Sequence, residues 1–124
     1  MNPESFKHYK LNIEHLDKVH WNLLESMDEI SHGTADIHFK QLSEDLQHHF
    51  QDEEEFMALI GYPYLNHHRK EHAELLDRMY KLSHNPVQSL SYLRALTTLL
   101  YDVFIKHIDF SDRQISTFVD SLYI

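Results

Sequence analysis

The chain has 124 residues, is 42% hydrophobic and carries a formal net charge of −9 at pH 7. Its length fits one domain with a buried core, and its composition excludes a disordered or membrane-spanning chain. The acidic balance excludes a nucleic-acid-binding protein, because phosphate binding needs clustered basic side chains. The sequence has no cysteine, which excludes disulfides, thiolate nucleophiles and thiolate metal sites. No signal peptide is visible, so we expect a cytoplasmic protein without membrane insertion.

The predicted secondary structure is entirely helical. Only two glycines and three prolines occur in the chain, too few for the turns that a β or α/β fold needs. The first amphipathic segment covers residues 13–30 and stops at Gly33, a typical residue at a helix C-terminus. The second begins near residues 34–36 and ends at Gly61 and Pro63.

A third amphipathic segment precedes Asn85 and Pro86, which fit an N-cap followed by proline at the first helical position. The fourth carries its apolar residues over 90–108, and a short terminal helix is expected over 113–122. Because the connections are short, successive helices should run antiparallel. The sequence therefore predicts an all-α fold over residues 1–124, an antiparallel up-down-up-down four-helix bundle with a short C-terminal helical extension.

Six side chains that commonly bind metals fall within the apolar stripes of these helices. The i,i+4 steps from His49 to Glu53 and from His68 to His72 each place two donors about 40° apart on one helix face. Burying such groups without partners is strongly unfavourable, so a bound metal explains them best. Nitrogen and carboxylate donors without sulfur favour iron, zinc or manganese. The six residues are His20, His49, Glu53, His68, His72 and His107.

A seventh candidate, Asp112, lies five residues after His107. In a straight α-helix this step corresponds to about 140°, so the two side chains could not face the same site. We therefore expect the helix to unwind, bulge or end near Phe110 and Ser111. In the alternative interpretation, Asp112 caps the terminal helix that begins at Arg113, with or without binding metal.

Four motifs, in this order, resemble those of the hemerythrins, specifically the short bacterial ones. Residues 17–20 (D-K-V-H) resemble the family's D-x-x-H on the first helix. Residues 49–57 (H-F-Q-D-E-E-E-F-M) resemble its H-F-x-x-E-E-x-x-M, and residues 62–72 resemble its Y-P-x-x-x-x-H-x-x-x-H. Residues 107–112 (H-I-D-F-S-D) resemble its H-I-x-x-x-D. The resemblance extends over nearly the whole chain.

The resemblance implies a non-haem centre of two iron ions (Fe2+/Fe3+) with an oxo or hydroxo bridge. Dioxygen would bind reversibly at an open position on the second iron, so the protein would carry, store or sense oxygen and would not be an enzyme. The implied ligands are His68, His72 and His107 for the first iron, His20 and His49 for the second, and Glu53 and Asp112 as bridges.

An oxygen-binding centre needs a dry, apolar surrounding, and the helical phase predicts which residues line it: Leu23, Leu24, Phe50, Val103, Phe104 and Ile108. Ordinary core packing would explain the same residues. Most family members have a tryptophan where this chain has Val103, and usually another near the N-terminus, where Phe6 stands. The first difference bears on oxygen affinity and on the rate of autoxidation.

Two other functions fit the same residues. The centre could be an enzyme that reduces nitric oxide or peroxide or oxidises iron, or the metal could be structural in an interaction module. The pattern H-x-x-E-H at residues 68–72 also fits inverted zinc proteases, but Glu71 is expected to face solvent. The remaining histidines are expected mostly at the surface: His8, His15, His32, His38, His48, His67 and His84.

Overall fold

The computed structural model describes residues 2–31, 39–84 and 89–123, and within these ranges all regular secondary structure is helical. The predicted all-α class is therefore confirmed. A four-residue helix and a 3-10 turn precede four long helices, and a π-helical segment leads into a short last helix. In chain order the elements are α1 (Pro3–Phe6), the 3-10 turn (Lys7–Tyr9), α2 (Glu14–Ser31), α3 (Phe39–Ile60), α4 (Leu65–Ser83), α5 (Leu90–His107), the π-helix (Ile108–Asp112) and α6 (Arg113–Ser121).

The four long helices form a closed ring, in which α2 packs against α3 and α5, and α4 packs against α3 and α5. Glu54 near the end of α3 contacts Arg69 and His72 near the start of α4, as expected for two antiparallel helices joined by a short turn. The predicted bundle with a short C-terminal helix is confirmed. None of the described helices is long and apolar enough to cross a membrane.

The turn between α3 and α4 is built on Gly61, as the sequence predicted. Gly61 has a φ of +71°, a conformation that glycine adopts without the steric penalty of a side chain. Its N–H donates to the carbonyl of Ala58, and the N–H of Tyr62 donates to the carbonyl of Met57. These two bonds form a Schellman motif. The turn fixes how the second half of α3 faces the start of α4.

Helix α5 is capped by a residue that the sequence analysis did not single out. The helix begins at Leu90, and its N-cap is Ser89, whose Oγ accepts a hydrogen bond from the N–H of Tyr92 at 3.4 Å. The predicted cap at Asn85 and Pro86 lies outside the described residues, as does Gly33.

The predicted interruption after His107 is a π-helix, Ile108–Asp112. Its hydrogen bonds connect residues i and i+5, so a side chain five positions after His107 returns to the same side of the helix. Both ends of the step are buried, with His107 at 7% exposure and Asp112 at 0%. Asp112 makes no side-chain hydrogen bond to the start of α6, so the capping interpretation is wrong.

The N-terminal arm, which we define as residues 2–13, packs against α6 at one end of the bundle. The guanidinium of Arg113 donates to the carbonyl of His8 at 2.7 Å, and Ser116 Oγ donates to the carbonyl of Leu11 at 2.6 Å. Beneath them, Ile115 packs with Met57 and Tyr62 in a small apolar cluster. A larger apolar core fills the rest of the bundle. The candidate ligands on α3 lie between these two cores.

Candidate metal centre

All seven candidate ligands meet in the interior of the bundle, each at most 7% exposed. They form two groups, and within each group the donor atoms lie within 4.8 Å of one another. Both groups share the same two carboxylates. The first group is His68, His72, His107, Glu53 and Asp112, and the second is His20, His49, Glu53 and Asp112.

Every long helix contributes to this cluster. Helix α2 provides one histidine, α5 provides one at its last residue, and α3 and α4 each provide an i,i+4 pair. In such a pair the two side chains lie one turn apart on the same face. The π-helix provides Asp112. Cations held by the two groups would together connect all four bundle helices and the start of the C-terminal extension.

Glu53 directs one carboxylate oxygen toward each group of histidines. Its Oε1 lies 2.9 Å from His68 Nε2 and 3.1 Å from His72 Nε2. Its Oε2 lies 3.2 Å from His49 Nε2 and 3.5 Å from His20 Nε2. A carboxylate placed in this way can bridge two cations.

The two carboxylate oxygens of Asp112 also face different groups of histidines. Its Oδ1 lies 2.8 Å from His68 Nε2 and 3.1 Å from His107 Nε2, whereas its Oδ2 lies 3.1 Å from His20 Nε2. The two carboxylates thus present one oxygen each to the three-histidine group and one each to the two-histidine group. This arrangement needs both ends of the π-helix to face the interior.

Many of these buried donor atoms have no hydrogen-bond partner among the described residues, although four nitrogen–oxygen pairs among them lie only 3.1–3.5 Å apart. Buried polar atoms without partners are rare and unfavourable in native proteins. Nitrogen and oxygen donors that converge without hydrogen bonding fit a metal ion between them. The atoms are both ring nitrogens of His20, Nε2 of His49 and His107, Oε2 of Glu53 and both side-chain oxygens of Asp112.

The imidazoles and the carboxylates of the cluster shift one another's pKa values. Burial lowers the pKa of His20, but the carboxylates of Asp112 and Glu53 outweigh it and raise that pKa to about 9. The same balance raises the pKa of His68 to about 9 and that of His107 to about 10. Burial raises the pKa of both carboxylates, yet the surrounding imidazoles hold each well below its usual range. A metal ion would take the place of the imidazole protons.

Comparison with known proteins agrees with this geometry. Residues 11–119 match the family model described as the hemerythrin HHE cation binding domain. This chain belongs to the hemerythrin family. It is similar to the bacteriohemerythrin of Campylobacter jejuni subsp. jejuni serotype O:23/36 (strain 81-176), with 27% identity over 122 residues that cover 91% of this chain and 92% of the relative. The bacteriohemerythrin of serotype O:6 (strain 81116 / NCTC 11828) is 26% identical over the same shares. No solved structure matches the chain.

Two acidic residues outside the cluster contact its histidines. Glu54 Oε2 lies 2.9 Å from His72 Nδ1, and Glu71 Oε2 lies 3.0 Å from His107 Nδ1. The sequence prediction that Glu71 faces solvent is wrong, since its side chain is 30% exposed and touches His107. Its position, about 100° from His72 around α4, points it toward the end of α5. Helical phase alone did not indicate this contact.

The predicted lining residues fall into three classes. Phe50 stacks on the His72 ring with centroids 3.9 Å apart, and Phe104 meets the His20 ring edge-on at 6.0 Å. Leu23, Leu24 and Ile108 are buried in the larger core. Val103 is half-buried and lines a surface groove of about 270 Å³ together with Glu71 and His107. That these residues line an oxygen pocket stays a prediction.

Five of the seven remaining histidines are described, and their side chains are not buried in the cluster. His48 and His67 each adjoin a ligand in sequence and are exposed, as predicted. His67 Nε2 lies 3.4 Å from Glu71 Oε1 and is 75% exposed. His8, His15 and His84 are also exposed, whereas His32 and His38 lie outside the described residues.

The candidate ligand histidines are buried and the other described histidines are exposed, so replacing the two kinds should affect the metal content differently. Replacing His48 and His67 together by glutamine should leave the metal content per chain unchanged, because neither side chain reaches the cluster. Replacing the adjacent His68 by glutamine should remove metal, since His68 Nε2 faces both carboxylates. Elemental analysis of the purified variants measures this. Loss of metal from the double variant would show that the ligand set is wrong.

Proposed function

We propose that this chain binds dioxygen reversibly at a centre of two iron ions and acts in oxygen carriage, storage or sensing. The observation that carries the proposal is the division of the two buried carboxylates, each with one oxygen toward three histidines and one toward two histidines. A single cation in one of the groups would face only one oxygen of each carboxylate. Two cations, one in each group, would use all four carboxylate oxygens.

In this proposal the two metal positions are unequal. His68, His72 and His107 hold one iron, His20 and His49 hold the other, and Glu53 and Asp112 bridge them. The second iron has one protein ligand fewer, which leaves a position for an external ligand. Two ferrous ions held by these residues would supply the electrons for reversible binding of dioxygen.

The side chains around the two-histidine group restrict what can reach it. His20 is 0% exposed and His49 is 3% exposed, so a bulky organic substrate has no access and a diatomic molecule fits better. Phe104 meets the rings of both histidines edge-on, with centroids 6.0 and 6.4 Å apart, and Leu24 is fully buried in the adjoining core. An apolar wall of this kind excludes water and limits proton transfer to the bound gas.

The proposal is one of binding without turnover. The proposal includes one di-iron domain over residues 1–124 and a cytoplasmic location. Reduction of nitric oxide or peroxide, oxidation of iron, and a purely structural metal are the outcomes against which it is tested.

The direct test is absorption spectroscopy of the iron-loaded, anaerobically reduced protein before and after exposure to oxygen. We expect two irons per chain and a new absorption band that disappears when oxygen is removed. Glu53→Ala should lose at least one iron and the band, because Glu53 faces both metal positions. The control is Glu55→Ala, an exposed change on the same helix, which should behave like the wild type.

Other outcomes would contradict the proposal in different ways. A band that decays with consumption of oxygen, and does not return over repeated cycles, would indicate an oxidase or reductase. One zinc per chain with no effect of oxygen would indicate a structural metal. Full iron loading of the Glu53→Ala variant would show that this carboxylate does not bridge.

A second prediction concerns Val103, which borders the groove beside His107. A tryptophan at this position would fill the groove and cover the approach to the metal centre from this side. We expect Val103→Trp to bind both irons but to slow oxygen binding and autoxidation several-fold, measured by stopped flow and by decay of the oxygenated spectrum. Leu99→Trp, one turn earlier on α5 and 58% exposed in the wild type, is the control. Unchanged rates in a fully loaded Val103→Trp protein would exclude this approach.

A further inference from the structure

In two histidines of the three-histidine group, the ring nitrogen that does not face the cluster contacts a carboxylate that belongs to neither group of candidate ligands. We propose that Glu54 and Glu71 are positioning residues that orient His72 and His107 and strengthen metal binding at the three-histidine position only. The inference rests on the two metal positions of the proposed function. It goes beyond them, because it predicts which position is filled first and which residues set its affinity.

Glu54 fixes the orientation of the His72 ring. The Nδ1–H of His72 donates to Glu54 Oε2 at 2.9 Å, while Nε2 of the same ring lies 3.1 Å from Glu53 Oε1. With the proton on Nδ1, the lone pair of Nε2 faces the cluster. Arg69 Nε donates to the other oxygen of Glu54 at 3.1 Å, and Phe50 stacks on the ring. The hydrogen bond to Glu54 therefore fixes the edge of the His72 ring, and the stacking with Phe50 fixes its plane.

Glu71 does the same for His107 from a different helix. The Nδ1–H of His107 donates to Glu71 Oε2 at 3.0 Å, while Nε2 lies 3.1 Å from Asp112 Oδ1. His107 is the last residue of α5, directly before the π-helix. The bond from α4 thus fixes the ring at the point where the backbone changes from α to π geometry.

The two-histidine group has no equivalent support for His20. Its Nδ1 is buried and has no hydrogen-bond partner among the described residues. A carboxylate that accepts the second N–H of a ligating imidazole raises its basicity and fixes its tautomer, and the loss of such a partner commonly lowers metal affinity by about 10–100-fold. Glu54 and Glu71 should therefore make the three-histidine position bind more tightly than its extra histidine alone would.

The test is a titration of the metal-free protein with Co2+ in the presence of a competing chelator, followed by the visible absorption of the bound ion. The wild type should bind two ions per chain in a tight step and a weaker step. Glu71→Gln and Glu54→Gln should each weaken the tight step by about 10–100-fold and leave the weaker step unchanged. Glutamine keeps a hydrogen-bond acceptor but removes the charge.

The matched controls are Glu74→Gln on α4 and Glu55→Gln on α3, both exposed in the wild type, and both should titrate like the wild type. Thermal unfolding of each metal-free variant separates metal binding from folding. If a glutamine variant does not fold without metal, Glu71→Asp or Glu54→Asp, which restores the charge at a longer distance, takes its place and should show a smaller loss.

Two results would overturn the inference. One is an unchanged tight step in both glutamine variants, and the other is an equal loss in both steps, which would indicate a general effect on the fold. Failure of the two-metal site, on which both the proposed function and this inference rest, has a different signature, because wild-type protein would then bind only one Co2+ per chain. In the zinc-loaded protein, proton NMR provides a second readout, since the Nδ1–H resonance of His107 should exchange faster with solvent in Glu71→Gln.

Discussion

Two carboxylates and five imidazoles share the centre of this bundle, where water cannot solvate them. Glu53 and Asp112 are both 0% exposed, and an ionised carboxylate loses several kcal/mol when it is removed from water without compensation. The imidazoles alone do not satisfy every donor and acceptor in the cluster. Bound cations would supply the missing interactions, and the groups that can bind them also connect the four helices. In this account, metal binding and folding are therefore one coupled equilibrium.

The bundle accommodates this cluster by a local change in helix geometry. A continuous α-helix through residues 107–112 would direct His107 and Asp112 to different sides, about 140° apart. The π-helix adds residues to the turn and brings both side chains inward. Arg113, the first residue of α6, donates to the carbonyl of His8. This bond attaches the helix that follows the π-helix to the N-terminal arm. A departure from regular helix geometry thus provides a carboxylate that faces both groups of histidines.

The fold and the inner cluster were predictable because both follow from helical periodicity. His49, Glu53, His68 and His72 occur at i,i+4 steps within apolar stripes, and all four are buried. The five-residue step from His107 to Asp112 predicted an irregular helix, because regular α geometry cannot bring both side chains inward. These are local properties of single helices.

The contacts that sequence did not reveal depend on how helices pack against one another. Glu71 reaches His107 only because α4 and α5 are neighbours and α5 ends beside it. Val103 lies at a surface groove, although its helical phase resembled that of the buried residues. The N-cap of α5, Ser89, was not identified from the sequence.

The most direct test of the central claim is a crystal structure of the iron-loaded protein with anomalous scattering recorded at the iron absorption edge. We expect two anomalous peaks, on the order of 3.5–4 Å apart as in other two-metal sites. One peak should lie among His68, His72 and His107, the other beside His20 and His49, with Glu53 and Asp112 contacting both. A single peak, or two peaks that do not share these carboxylates, would contradict the claim.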